Sequence, residues 1–235
     1  MNKQLKLILE DLKKKGDSKK AIEQKRYLKS PYQMYGIWGK DQDSAVKQFY
    51  LLNKEIDNKE LFKILEDLWK SKWHTEKSFA IGIATYYTDQ YTEKELLFFK
   101  KWLDECTGWD HTDGISGFII ARMVVDNSKL KKVINSWTKE NCMWTRRASL
   151  ISYIRSLRKD NRDLQDVFNN IKPLMHEKEF FIRKAIGWVL REASKKYSKE
   201  VIAFVKENKD ELSNLSKREA LKTILLKKEL SKYLS

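Results

Sequence analysis

The sequence predicts an all-α protein made of stacked helix pairs, and three observations carry that expectation. Only eight glycines and two prolines occur in 235 residues, which leaves little punctuation for strands and hairpins. Apolar residues recur at i, i+3, i+4 and i+7 almost throughout, as in LKLILEDLKKK and KELFKILEDLWKS, and that is the period of an amphipathic helix. A small residue also returns inside successive amphipathic helices: Ala45, Ala80, Gly117, Ala148, Ala185 and Ala220 stand 35, 37, 31, 37 and 35 residues apart. An interval near that length fits one helix pair per repeat of a solenoid, where each pair buries its apolar face only against its neighbours. Chance spacing among ordinary amphipathic helices is the competing explanation. On the repeat reading residues 1–235 form a single domain.

Taken in order, the first helix, LKLILEDLKKK, ends at KKGDSKK, and a second ends at SPYQMYGIWGKDQDS. The helices that follow, KELFKILEDLWKS among them, break at TYYTDQYTEKE, ECTGWD and VVDNSKL. Those of the C-terminal half, including WTRRASLISYI and FIRKAIGWVL, break at KKYSKEV and NKDELSNLSK. Breaks this short make about a dozen helices joined by tight turns. WTRRASLISYI and FIRKAIGWVL each place two basic residues just before the small one, and they resemble the second helix of HEAT repeats.

Charge narrows the choice of partner. Lys and Arg number 48 against 33 Asp and Glu, a formal net charge of +15. That balance suits a polyanion, nucleic acid being the commonest, although a Lys-rich proteome gives the same composition without DNA binding. With 41% hydrophobic residues the chain can build a core and is not a disordered basic tail. Cys106 and Cys142 form no CxxC pair, so neither a zinc site nor a disulfide framework is expected. His74, His111 and His176 are scattered without metal-ligand spacing, so no metal and no cofactor are expected. No apolar run approaches a membrane span, and the charged, helical start argues against a signal peptide. The expected setting is a reducing one, the cytoplasm.

The stretch GWDHTDG, Gly108 to Gly114, sets Asp110 and Asp113 beside Trp109 in an otherwise basic chain. Thr107 followed by Asp110 reads as an approximate capping box. A helix starting there puts Trp109 and Asp113 at i and i+4, on one face and one turn apart. An exposed indole beside a fixed carboxylate suits a flat cationic substrate. A capping acid, a solvated acid and a core tryptophan would explain the same letters. At about 100° per residue, Trp109 and Asp113 fall near 280° and 320° from Gly117, Arg147 near 260° from Ala148, and Trp188 near 300° from Ala185. Side-by-side repeats would bring these four onto one surface. The acids Asp104, Glu105, Asp110 and Asp113 would face different sides of a helical turn, which argues against a metal-dependent nuclease.

These residues carry a resemblance to the AlkD family of DNA glycosylases, HEAT-like repeat proteins that excise alkylated purines. RYLKSPYQMYGI, Arg26 to Ile37, is similar to the family's opening helix and turn, and GWDHTD resembles its Trp–Asp-x-x-Asp motif. A second aromatic often precedes the Trp in that motif, and here Gly108 occupies its place. MWTRRAS resembles the family's basic helix start and puts the functional arginine at Arg147. FFIRKAIGWVLREASK, the closest match, puts the second functional tryptophan at Trp188.

The resemblance implies N-glycosidic hydrolysis of cationic N3- and N7-alkylpurines in duplex DNA by a monomer, without base flipping and without a cofactor. A purine alkylated on a ring nitrogen already carries positive charge and leaves as a neutral base without a general acid. One carboxylate then suffices, unlike the acid and base pair of ordinary glycoside hydrolysis. Asp113 would stabilise the oxocarbenium ion and position water. Trp109 and Trp188 would flank the sugar with π-faces, each worth up to about 2 kcal/mol when desolvated. Arg147 would hold a phosphate, with Arg146, Lys184 and Tyr27 as further candidate DNA contacts. A non-catalytic HEAT-repeat DNA-binding module and a protein-interaction scaffold are the alternatives.

Overall fold

A computed structural model describes residues 3–125, 127–160 and 163–234, with side chains described as far as Leu225. All regular structure among the described residues is helical, apart from an isolated parallel bridge between Gln33 and Trp73. The chain divides into two compact units. One comprises the residues up to Tyr91 together with Glu105–Ile115, and the other comprises Thr92–Asp104 and the residues from Ser116 onward.

The first unit holds α1 (Lys3–Lys14), α2 (Ser18–Leu28), α3 (Gly39–Leu52), α4 (Asn58–Trp69) and α5 (His74–Thr85). Local sequence sets several ends. Asp17 caps α2 by accepting from the Lys20 N–H at 2.7 Å, and Asp57 caps α4 through the Lys59 and Glu60 amides. Lys29 closes α2 in the left-handed region, φ 49°. Gly36 is held at φ +75°, where a Cβ would lie 1.9 Å from the Asp17 carbonyl; only glycine tolerates both. The core gathers Leu5, Leu9, Leu12, Phe49, Leu61, Leu65, Phe79 and Ile83, nearly all without exposed surface. In contrast, α2 buries none of its residues.

The second unit holds α6 (Glu93–Glu105, all but its last residue), and, beyond α7 (Trp109–Gly114) of the first unit, α8 (Ala121–Val124) and α9 (Ser128–Ser136). α10 (Met143–Ile151), α11 (Ile154–Lys159), α12 (Leu164–Ile171), α13 (Phe180–Ser194), α14 (Ser198–Glu207) and α15 (Asn214–Leu234) complete it. Trp137, Tyr153, Phe99, Leu150, Leu157 and Ile186 form its centre.

Within each unit the packing skips along the chain. α1 meets α3, α3 meets α5 and α5 meets α7 in the first; α10 meets α13 and α13 meets α15 in the second. Adjacent elements such as α4 and α5, or α13 and α14, pair as well. Helices that pack both on their sequence neighbour and on the matching helix of the next pair make an all-α helical-repeat fold. The repeat markers Ala45, Ala80, Ala148, Ala185 and Ala220 are buried in α3, α5, α10, α13 and α15.

Gly117 is the exception. It lies in a π-helical segment, Ile115–Ile120, with open space where a Cβ would stand, while its neighbour Ser116 is the buried small residue. Bonding here steps to i+5, so the 100° increment that located Trp109 and Asp113 against Gly117 does not hold. Among the described residues no helix is long and apolar enough to cross a membrane.

Candidate active site

α7 opens a helical run that continues through the π-helical Ile115–Ile120 into α8, and its first turn differs from the capping box expected at Thr107. Gly108 is the N-cap, extended at φ −155° and ψ 163°, and no side chain caps the helix. Asp110 therefore lies inside the helix, with its carboxylate on His74. The Thr112 hydroxyl donates to the Gly108 carbonyl at 2.9 Å and ties the turn together.

Trp109 and Asp113 stand one turn apart on this helix, and both are half-buried. The Trp109 ring meets Tyr27 edge to face, with centroids 6.1 Å apart and planes at 88°. Tyr27 itself is exposed near the end of α2. Trp188 is half-buried on α13, directly after Gly187. Neither tryptophan is a core residue. Tyr27, Trp109 and Asp113 belong to the first unit; Arg146, Arg147, Lys184 and Trp188 belong to the second.

Each cation expected at DNA already has a partner inside its unit. Arg146 grips both carboxylate oxygens of Glu177, at 2.5 and 3.3 Å, and donates to the Glu140 and Asn141 carbonyls. Arg147 is 4% exposed, and its Nη1 donates to the Phe181 carbonyl at 2.5 Å. That bond makes Arg147 part of the packing of α10 on α13, because a guanidinium this deeply covered is sealed by its surroundings. Lys184 pairs with Glu219 of α15 at 2.9 Å. Exposed cations without such roles cluster elsewhere: Lys25, Arg26 and Lys29 surround Tyr27 at the end of α2. Sequence reading stopped at Tyr27 and missed them, although RYLK contains the signal.

The larger omission is a buried polar network behind Trp109. His74 and His111, 37 residues apart in sequence, stack with centroids 3.9 Å apart and planes at 22°. His74 Nε2 lies 2.6 Å from Asp110 Oδ2, and its Nδ1 lies 2.9 Å from Ser30 Oγ. Ser78 Oγ donates to the His74 carbonyl at 3.1 Å and lies 3.0 Å from His111 Nε2. Because that hydroxyl spends its proton on the carbonyl, His111 Nε2–H is the donor to Ser78. Burial first, and the neighbouring His74 second, lower the His111 pKa to about 4, so the ring is neutral at pH 7. Burial alone would raise the Asp110 carboxyl; the hydrogen bond from His74, joined by the His111 backbone N–H, outweighs it and holds the group below its usual range.

One donor atom each from His74, Asp110 and His111 lie within 4.8 Å of one another, a set that invites a cation. The stacking argues against one. Imidazole lone pairs lie in the ring planes, and rings stacked at 22° direct them almost parallel, so an ion in the plane of one ring lies well off the other. Both nitrogens of His74 are also engaged. The remaining acids go to separate partners: Asp104 to Lys100 and Thr145, Glu105 to the Trp69 indole N–H.

An all-α helical-repeat protein with a half-covered tryptophan and carboxylate on one short helix is the class this geometry defines. The chain matches the sequence model of the DNA alkylation repair enzyme family over residues 8–224, and it belongs to that family. Among solved structures it is similar to one described as a predicted DNA alkylation repair enzyme from Enterococcus faecalis. The TM-score is 0.80 and the identity 24%, over 88% of this chain and 96% of that one. It is also similar to AlkD2 from Streptococcus mutans, with TM-score 0.63 and 19% identity over 78% of this chain and 88% of that one. The smu.31 protein of Streptococcus mutans UA159 gives 0.63 and 19%, over 77% and 90%. At these identities the likeness is one of fold. None of the curated proteins matches the chain.

Proposed function

We propose that this protein is a DNA glycosylase that hydrolyses the N-glycosidic bond of cationic N3- and N7-alkylated purines in duplex DNA, without base flipping. The observation that carries the reading is the pairing of Trp109 with Asp113 on α7. An indole face and a carboxylate one turn apart stand half-open to solvent, in a chain of the alkylation-repair family. The lesion supplies its own leaving-group charge, so the protein must stabilise only a developing oxocarbenium ion. A fixed carboxylate does that by charge and an aromatic face by its quadrupole.

In this reading Asp113 stabilises the sugar cation and orients the attacking water, and Trp109 and Trp188 provide π-faces to the deoxyribose. Tyr27 supports the Trp109 edge and meets DNA with the cations around it. Arg146 and Lys184 reach phosphates from their partly exposed pairs, and the buried Arg147 holds α10 against α13, the helix that bears Trp188. The enzyme works as a cytoplasmic monomer and needs no cofactor.

Asp113→Asn tests the assignment. The variant keeps the shape of the side chain and removes the charge, so release of 7-methylguanine from methylated duplex DNA should fall by about 100-fold or more while DNA affinity holds. Undiminished release would take the catalytic role away from Asp113, and absence of release by the wild-type protein would leave a non-catalytic DNA-binding module as the better reading.

A further inference from the structure

We propose that Ser30, His74 and Asp110 form a positioning clamp for the excision site, a chain of hydrogen bonds joining the end of α2, with Tyr27, to the first turn of α7, with Trp109 and Asp113. The proposal rests on the function proposed above. Its links are direct. Ser30 follows the left-handed cap Lys29, three residues past Tyr27. Its hydroxyl oxygen accepts from the Tyr32 N–H at 3.2 Å and meets His74 Nδ1 at 2.9 Å. His74 Nε2 reaches Asp110 Oδ2 at 2.6 Å. The His74 backbone N–H donates to the Gln33 carbonyl at 2.8 Å, rooting the ring in the same loop that presents Ser30.

Proton placement follows from the partners. An ionised Asp110 can only accept, so His74 Nε2 carries a hydrogen. Its Nδ1 can then take the Ser30 hydroxyl proton, since the Ser30 oxygen receives Tyr32 through a lone pair. A hydrogen on Nε2 is what the chain of partners requires. The order Ser, His, Asp resembles a nucleophile relay, but Ser30 is 8% exposed and already bonded to the backbone. Positioning is the role its burial allows.

α7 requires such a tether. The helix continues without a break through Ile115–Ile120 into α8, but its first turn has no side-chain cap and would fray without a partner. Yet this turn must fix an indole and a carboxylate against a substrate. Gly108 belongs to the same device. A Cβ there would stand 3.1 Å from Asp110 Oδ1, and the fellow oxygen is pinned to His74, so the carboxylate has little freedom to retreat. Oδ1 is itself buried with no hydrogen-bond partner, which leaves the tether to Oδ2 alone.

The experiment uses the full chain labelled with 5-fluorotryptophan, the Trp109 fluorine line being assigned with Trp109→Phe, and compares Asp110→Ala, Asp110→Asn and Ser30→Ala. Asp110→Ala should move or broaden the Trp109 line, leave the other tryptophan lines in place and slow single-turnover release of 7-methylguanine. Misplacement by about 1 Å costs roughly 100-fold, and affinity for lesion-free duplex should stay unchanged. Asp110→Asn still offers an oxygen to His74 Nε2–H and should restore both the line and most of the rate. Ser30→Ala, which leaves Asp110 intact, should shift the same line. An unmoved Trp109 line in a folded Asp110→Ala protein overturns the clamp, as does an Asp110→Asn that loses as much rate as Asp110→Ala with its line in place. A wild-type protein that releases no base, but whose Trp109 line moves in Asp110→Ala and returns in Asp110→Asn, sustains the clamp and removes the excision reading.

Discussion

His111 is the residue whose burial has the clearest measurable consequence. Its pKa falls from 6.5 to about 4, so between those values the unfolded chain binds a proton that the folded one refuses. Stability from this group is complete above pH 6.5 and is lost as the pH drops through 4, reaching about 2 kcal/mol of loss by pH 5. His74, Asp110 and Lys77 are the charged or titratable groups facing the ring. His111→Gln, which keeps a donor for Ser78, should flatten the decline between about pH 7.5 and pH 5 in urea melts. Parallel declines in the two proteins would rule the account out. None of this was legible in the sequence, because the three histidines carry no spacing signal and the network assembles from three separate segments. Trp109 and Asp113 were legible because i and i+4 on one short helix is a local relation. Arg147 suggests a phosphate contact by residue type, and its bond to the Phe181 carbonyl is a tertiary relation that no local spacing encodes.

Single elements show where period analysis succeeds and where it slips. Alanine markers point to the matching helices because close helix approach selects small side chains, and five of the six marker residues are buried. The sixth, Gly117, slipped because a π-helical segment absorbs an extra residue, which no count of α-helical turns anticipates. Gly187 was not singled out at all, yet a Cβ there would lie 2.5 Å from Glu219 Cβ and 3.0 Å from the Ser216 carbonyl. Gly187→Ala must push α15 off α13, and overpacking of this kind costs about 1–3 kcal/mol. Thermal melting should show the loss. Because Trp188 is the next residue, base release should fall more in Gly187→Ala than in an equally destabilised variant of the first unit's core, such as Leu65→Ala. Equal losses would mean that Trp188 is insensitive to the α13–α15 contact.

For the whole molecule, the +15 charge predicts DNA affinity that falls steeply with salt. The internal pairing of Arg146 and Lys184 shifts the expected grip toward α2. Lys25→Ala with Arg26→Ala should weaken binding to any duplex sequence and reduce the slope of log K against log salt by about 0.9 for each phosphate no longer neutralised. An unchanged slope would place the DNA elsewhere. The helix carrying these cations and Tyr27 buries none of its residues, so caps, the Gln24 bond to the Ile37 carbonyl and the edge contact of Tyr27 with Trp109 hold it in place of a core. Segments of that kind lift away at small free-energy cost. Amide exchange should therefore be fastest along this helix in the free protein and slow sharply when duplex is added, so that the DNA itself finishes the folding of the surface that grips it.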